Sequence, residues 1–403
     1  LGSGSGDAVR TMSCTGQLGV PRVIVPRATS GVTLVQPPAN NQVDRLVWAK
    51  LQKLGLRASE LCDDATFLRR LYLDAIGTLP RPSEVKHFLA DPNPDKRREV
   101  IDRVLQRDEF ADYWALKWSD VLLVDSSTLG ERGAYVFHRW LREQIATNRP
   151  YDQWVRELLT ASGNSGKVGP TNFYRAMRTP SDLTKTVSQA FLGIRMDCAQ
   201  CHHHPFEKWG QEDFYGLAGF FNGIKYKKLS PDRELVFHSG HKPAKMPITG
   251  EVVPTRTLDS EPIALDDLDP RVHLAEWIVS PDNPWFARLA ANRIWKHYMG
   301  RGLVEPEDDL RSTNPATNEP LLSFLTAQVV EDKFNLKAVM RLILNSRVYQ
   351  LSSTPNETNR DDVQNFSHHL IKRLPAEVLL DAISEVTASP DQFAGVPLGT
   401  RSI

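Results

Sequence analysis

The sequence predicts a mainly α-helical protein, two helical domains joined by an irregular linker with short strands and preceded by a short β segment. Apolar residues recur at three- and four-residue spacing over 41–225 and again from 269 onward. Pro, Gly and Asn punctuate these stretches at the places where helices start and stop. Between them, residues 226–268 lose the helical period and turn to Pro, Gly, Lys and Asp.

Residues 1–40 mix Gly, Ser, Thr and Pro with β-branched runs at 20–25 and 31–35, which are expected to be strands. They are too few to form a stable sheet alone, so they close a preceding β domain or lie on the domain that follows. Val43, Leu46, Val47, Leu51 and Leu54 then define a helix that stops at Gly55. A second helix starts at the acidic pair Asp63 and Asp64, carries Phe67, Leu68, Leu71 and Ala75 on one face, and ends at Gly77. Further helices are expected over 82–90, 94–105, 108–123, 133–146 and 151–159. Thr179-Pro180-Ser181-Asp182 reads as an N-cap, a proline at the first helical position and an acid in the first turn. The helix it opens has Leu183, Val187, Ala190, Phe191 and Ile194 on one face. Extended pieces at 235–238 and 251–253 give the linker its β character. Val272, Leu274, Ile278, Phe286, Leu289, Ile294 and Tyr298, then 321–329, 336–343 and 370–386, make the second helical domain over 269–403. The Pro- and Gly-rich end is expected to stop in mid-domain.

A chain of 403 residues exceeds the usual single core, which sets an expectation of two or three domains. The 49 basic and 49 acidic residues cancel, so no field draws the chain to nucleic acid, and no nucleic-acid partner is expected. No run of 18 apolar residues exists, so no membrane span is expected in this chain. The start at Leu1 lacks a signal-peptide pattern, and localisation is not read from it. Nucleotide-binding, nucleophile-elbow and zincin signatures are absent. Cys14 and Cys62 are isolated and read as unrelated thiols, with a disulfide as the alternative. The acidic residues Glu305, Glu307, Asp308 and Asp309 read as a solvated loop, with a cation site as the alternative.

The one stretch with distinctive chemistry is Cys198-Ala199-Gln200-Cys201-His202, the C-x-x-C-H pattern of covalent c-type haem. Two thiols at this spacing can each add to a vinyl group of one porphyrin edge, and the next imidazole then reaches the iron. At this composition the pattern arises by chance in roughly one such chain in a thousand. The helix from Thr179 is expected to deliver the motif at its C-terminal end. Phe206, Trp209, Phe214, Tyr215, Phe220 and Phe221 follow as porphyrin-shielding surface, or as ordinary core.

Three chemistries fit the motif. In the first, haem c is held by Cys198, Cys201 and His202. The second is a zinc site using both cysteines with one or two of His202, His203 and His204; it lacks a second ligand pair elsewhere in the chain. The third is a structural or redox dithiol. For haem, the sixth-ligand candidates are His138, His238, His241, His297, Met177 and Met196, none singled out by spacing.

The stretches at 64–79 (DATFLRRLYLDAIGTL), 187–221 (with QAFLGIRMDCAQCHHHPFEKW) and 283–352 (with ANRIWKHYMGRGLVEPEDDLRSTNPATNEPLL) resemble the paired domains of unknown function in large secreted planctomycete proteins. These are a planctomycete cytochrome C-associated domain followed by a planctomycete secreted domain, and the resemblance covers about 41–400. It implies a secreted or periplasmic location, a redox partner protein or cytochrome c module, and polysaccharide as a candidate partner. It also implies that residues 1–40 end an immunoglobulin-like module. Cys198, Cys201, His202, His204 and Pro205 fall on the family's C-x-x-C-H-x-H-P run, which departs from ordinary cytochromes c and leaves room for a metal held by His202 and His204. Asn292, Arg293, Trp295, Gly300, Gly302, Asp309, Arg311, Asn314 and Pro315 fall on further marked positions, read as a helix, a Gly-rich turn and a polar loop that maintain the fold or bind sugar. The chain is thus expected to be a secreted c-type haem protein in electron transfer, coupled to polysaccharide breakdown. The alternative is a non-redox binding or scaffold module with a Cys/His zinc site.

Overall fold

The structure, a computed structural model, describes residues 6–9, 12–14, 17–27, 34–203, 207–264, 269–397 and 399–403. Among these it is mainly α-helical, as the sequence predicts, with fifteen α-helices and a few short strands.

At the N-terminus β1 (Gly6–Val9) pairs antiparallel with β4 (Arg22–Val25), and β2 (Met12–Cys14) with β3 (Gln17–Gly19). The strand expected over 20–25 is present as β4. Of that expected over 31–35, residues 31–33 lie outside the described ones, and Leu34 and Val35 are not in a strand. The Arg22 guanidinium ties β4 to the helical body through the carbonyls of Ala316 and Thr317.

Local capping sets the first helices. In α1 (Gln42–Leu54) the Asn41 side chain accepts from Val43 N–H at 3.0 Å, Asp44 accepts from Asn41 N–H at 3.2 Å, and Gly55 ends the helix at φ 71°. For α2 (Asp64–Ile76) the Asp63 carboxylate accepts from Thr66 N–H at 2.7 Å, and Gly77 closes the helix at φ 64°. Then come α3 (Pro82–Ala90), α4 (Lys96–Val104) and α5 (Asp108–Val121). The next helix, α6 (Ser126–Ala146), begins earlier than the expected 133 because it continues across a kink at Gly130, whose φ 72° and ψ 159° only glycine adopts readily. It is followed by α7 (Tyr151–Thr160), the short strand β5 (Gly163–Asn164) and α8 (Thr171–Ala176). Thr179 caps α9 (Pro180–Val187) by accepting from Asp182 N–H at 3.1 Å. That helix widens into a π-turn at Ser188–Leu192 and stops at Gly193. After the cysteine motif, α10 (Gln211–Ala218) completes this half.

The segment expected as a linker is more ordered than its composition indicates. β6 (Ile224–Ser230) and β7 (Arg233–His238) form a hairpin, and β5 pairs with β7, giving the strand order β5-β7-β6. A second small pair, β8 (Ala244–Lys245) and β9 (Val252–Val253), follows. Next come α11 (Pro270–Val279), α12 (Phe286–Met299), α13 (Glu319–Glu331), α14 (Leu336–Leu344) and α15 (Ala376–Thr387). The helix expected over 370–386 starts only at Ala376, because Pro375 pushes the residue before it out of the α region.

Both helical stretches feed one continuous core. Phe67, Trp118, Tyr151 and Phe191 share it with Phe286, Trp295 and Leu325. The rings of Tyr151 on α7 and Phe286 on α12 stack at 4.5 Å with 6° between their planes. Burying the faces of α5, α7 and α12 together holds the motif-bearing half against the C-terminal half.

Candidate functional site

The cysteine motif sits on an arm between Gly193 and α10. Gly193 has φ 65°, and a Cβ there would stand 2.9 Å from Leu310 Cγ, so the chain can turn here only as glycine. Its carbonyl accepts from Leu310 N–H at 2.8 Å. Ile194 and Met196 point into the core, while Arg195 pairs with Asp308 at 2.6 Å. The helix from Thr179 therefore does not carry the motif at its end, contrary to expectation. The left-handed glycine breaks it, and the motif forms its own 3-10 turn, Cys198–Gln200.

That turn is pinned from beneath and open above. Ala199 is fully buried, whereas Cys198, Cys201 and His202 are exposed and both motif thiols are free. The N–H groups of Cys201 and His202 both donate to the Cys198 carbonyl, at 3.3 and 3.2 Å. The Gln200 carbonyl accepts from Gln211 Nε2 at 3.2 Å and from the Tyr215 hydroxyl at 3.3 Å, both on α10. Burial, and then the neighbouring Cys201, push the Tyr215 phenol above its ordinary value. His202 Nδ1 lies 2.7 Å from the His203 carbonyl. A carbonyl only accepts, so Nδ1 carries the proton and Nε2 keeps its lone pair. His203 rests on Gly210, where a Cβ would stand 2.5 Å from its Nδ1.

His204, expected as a metal ligand, lies outside the described residues, as do Pro205 and Phe206. Among the described residues no group of three His, Cys, Asp or Glu is placed to hold a metal. The aromatics expected to shield a porphyrin belong to the protein core: Trp209, Phe214, Phe220 and Phe221 are buried, and only Tyr215 is half-buried. A cavity of about 220 Å³ is lined by Gly193, Ile194 and Arg195 before the motif and by Glu207, Lys208 and Trp209 after it. That is below the roughly 300–1,000 Å³ of pockets that enclose a cofactor. Sequence reasoning missed Glu207, whose carboxyl burial raises and which accepts from Ser312 N–H at 2.7 Å.

The sixth-ligand candidates are dispersed. Met177 and Met196 are core residues. His297 packs against Tyr113 and Trp114, and its Nε2 lies 2.6 Å from the Asp74 carbonyl. His138 lies on α6, where burial lowers its pKa. His238 Nε2 and His241 Nδ1 are buried without partners among the described residues.

The acidic residues after α12 form no solvated loop. Glu305 and Glu307 pair with Lys296, Asp308 with Arg195, and Asp309 with Arg311 at 3.4 Å. Of the further positions singled out in this half, Asn292, Trp295, Gly302 and Asp309 are buried. Asn292 donates to the carbonyls of Val304 (2.9 Å) and Glu307 (3.2 Å) and accepts from Val304 N–H (3.0 Å). Asn314 donates to the carbonyls of Glu305 and Asp309. These amides hold the loop in shape, the fold-maintaining one of their two expected roles.

Residues 42–226 match the family model PSCyt2, protein of unknown function (DUF1549), and residues 270–400 match PSD1, protein of unknown function (DUF1553). No curated protein and no solved structure matches the chain. No helix among the described residues is long and apolar enough to cross a membrane.

Proposed function

We propose that this chain, which belongs to the proteins carrying a PSCyt2 domain followed by a PSD1 domain, holds a covalent haem c on its surface and serves electron transfer outside the cytoplasm. One observation carries the proposal: two free, exposed thiols stand on one turn, and the next residue is a histidine with Nε2 left to ligate. Cys198 and Cys201 would hold the group through their thiols, and His202 would supply an imidazole to its iron. Bound haem would supply one-electron transfer.

The chain's own residues fit this role as a mooring. Buried Ala199 fixes the turn from below, Gln211 and Tyr215 hold it through the Gln200 carbonyl, and the His203 carbonyl fixes the His202 tautomer. They supply attachment rather than an enclosing pocket, which suits exchange of electrons with a redox partner protein or cytochrome c module docked over the site. The planctomycete secreted domain matched by residues 270–400 supports a secreted or periplasmic setting. Polysaccharide breakdown would be the process such electrons serve.

The test is maturation of the chain in a host that attaches haem c. A Soret band, and a haem stain that survives a denaturing gel and vanishes in Cys198→Ala/Cys201→Ala, are expected. An unstained protein carrying one zinc per chain would replace this proposal with the scaffold module, its zinc held by Cys198, Cys201, His202 and His204.

A further inference from the structure

A cavity of about 380 Å³ lies between α2, α5, α12 and the segment 372–375. It is within the size range of small-molecule pockets. Two of the stretches singled out in the sequence converge there, through Leu73 and Asp74 on one side and Ala290 to Gly300 on the other. Its walls are aromatic and aliphatic: Tyr113, Trp114 and Trp118 from α5, Ile294 from α12, and Leu374 and Pro375.

Among the lining side chains, cations outnumber acids. Lys117, Arg293, Lys296, Lys372 and Arg373 line the cavity against Asp74 and Glu307. Both acids are already engaged. Asp74 pairs with Lys372 at 2.8 Å and accepts from the Tyr349 hydroxyl at 3.0 Å, and Glu307 pairs with Lys296. Arg293 gives its donors to the carbonyls of Ala190 (2.6 Å) and Gln189 (3.2 Å), with Asp308 and Glu307 as its opposite charges. Lys117 stands 5.2 Å from the Tyr113 ring centroid, with Asp120 and Glu377 as its opposite charges. Burial lowers its amine below the ordinary lysine value. A cationic excess inside aromatic walls favours a ligand with a flat apolar body and one negative group.

We infer that this cavity binds a small aromatic carboxylate, its ring against Trp114 and Trp118 and its carboxylate drawn to Lys117 and Arg293. The probe is 2-naphthoate, titrated into the full chain and followed by calorimetry and by quenching of tryptophan fluorescence. Saturable binding of one molecule per chain is expected. Binding should weaken on the order of tenfold for uncharged 2-naphthylmethanol and for Lys117→Gln, and should be retained in Lys117→Arg. No saturable binding at millimolar naphthoate, equal binding of the alcohol, or unchanged binding by Lys117→Gln would overturn the inference. Should Lys117→Gln fold poorly, Leu374→Trp decides by calorimetry: it fills the half-buried edge of the cavity and must abolish binding, and retained binding would equally overturn it.

Discussion

Arg195 and Asp308 form an ion pair at 2.6 Å that joins the motif arm to the acidic turn after α12. The Gln189 amide donates to the second carboxylate oxygen at 2.5 Å, and Arg293 grips the carbonyls of Gln189 and Ala190. The arm that carries the two thiols is therefore moored on the C-terminal half.

Partial burial raises the Asp308 carboxyl, but the donors Gln189 and Arg195 outweigh it and hold the group below the ordinary aspartate value. A carboxylate depressed in the folded state stabilises above its unfolded value, near 3.9, and that contribution is lost as pH falls through the folded value. Asp308→Asn should therefore destabilise by about 1–3 kcal/mol at pH 7. In urea unfolding the gap from the parent should be smaller at a pH under the ordinary aspartate value than at pH 7. A gap of equal size at both pH values would contradict this account.

Gly193→Ala combines a left-handed backbone with a clash against Leu310, whereas Gly240→Ala, at φ 68°, meets nothing within 4 Å. Alanine at Gly240 should cost about 1 kcal/mol from the backbone alone, and at Gly193 clearly more. Denaturant midpoints of the two variants make the comparison; equal losses would mean that Leu310 yields freely.

Asn292 is fully buried and satisfies three backbone groups of the loop after α12. Asn292→Ala leaves them unpaired and should destabilise by about 2–4 kcal/mol. Asn292→Asp restores the acceptor for Val304 N–H but sets a charge against two carbonyls, so it should rescue little. Thermal melts of both variants measure this, and a stable Asn292→Asp would refute the assignment of both amide donors.

Burial, and then the charge of Lys372, lower the His297 imidazole to about 3. The unfolded chain then binds a proton near pH 6.5 that the folded chain refuses, so this group's contribution falls as pH drops from about 6.5 toward 3. His297→Gln should flatten the decline in urea midpoint between pH 7 and pH 4. An unchanged slope would show that His297 does not drive it.

Much of the helical framework was legible because its determinants are local. Gly55, Asp63 with Gly77, and Thr179 with Pro180 each act within a few residues, and the structure places those ends where the sequence puts them. The start of α6 was not legible, since helix continues across Gly130, where sequence patterning reads a break. The hairpin of β6 and β7 was half legible. Its strands alternate only weakly, and the partner strand β5 lies far away in the chain.

For the site, the sequence by itself determined the chemistry on offer: two thiols at C-x-x-C spacing followed by an imidazole. Only the tertiary structure decided how that chemistry is presented. Gly193 cuts the motif loose from α9, Ala199 anchors it, and Arg195 with Asp308 moors it, so both cysteines face outward while the neighbouring aromatics go to the core. The same distinction separates the acidic turn, read as solvated but engaged by Lys296, Arg195 and Arg311, from its appearance in the chain. Spacing along a chain specifies which bonds neighbours can make. Exposure and charge pairing depend on residues brought together from distant segments, and their separation in sequence carries no trace of that meeting.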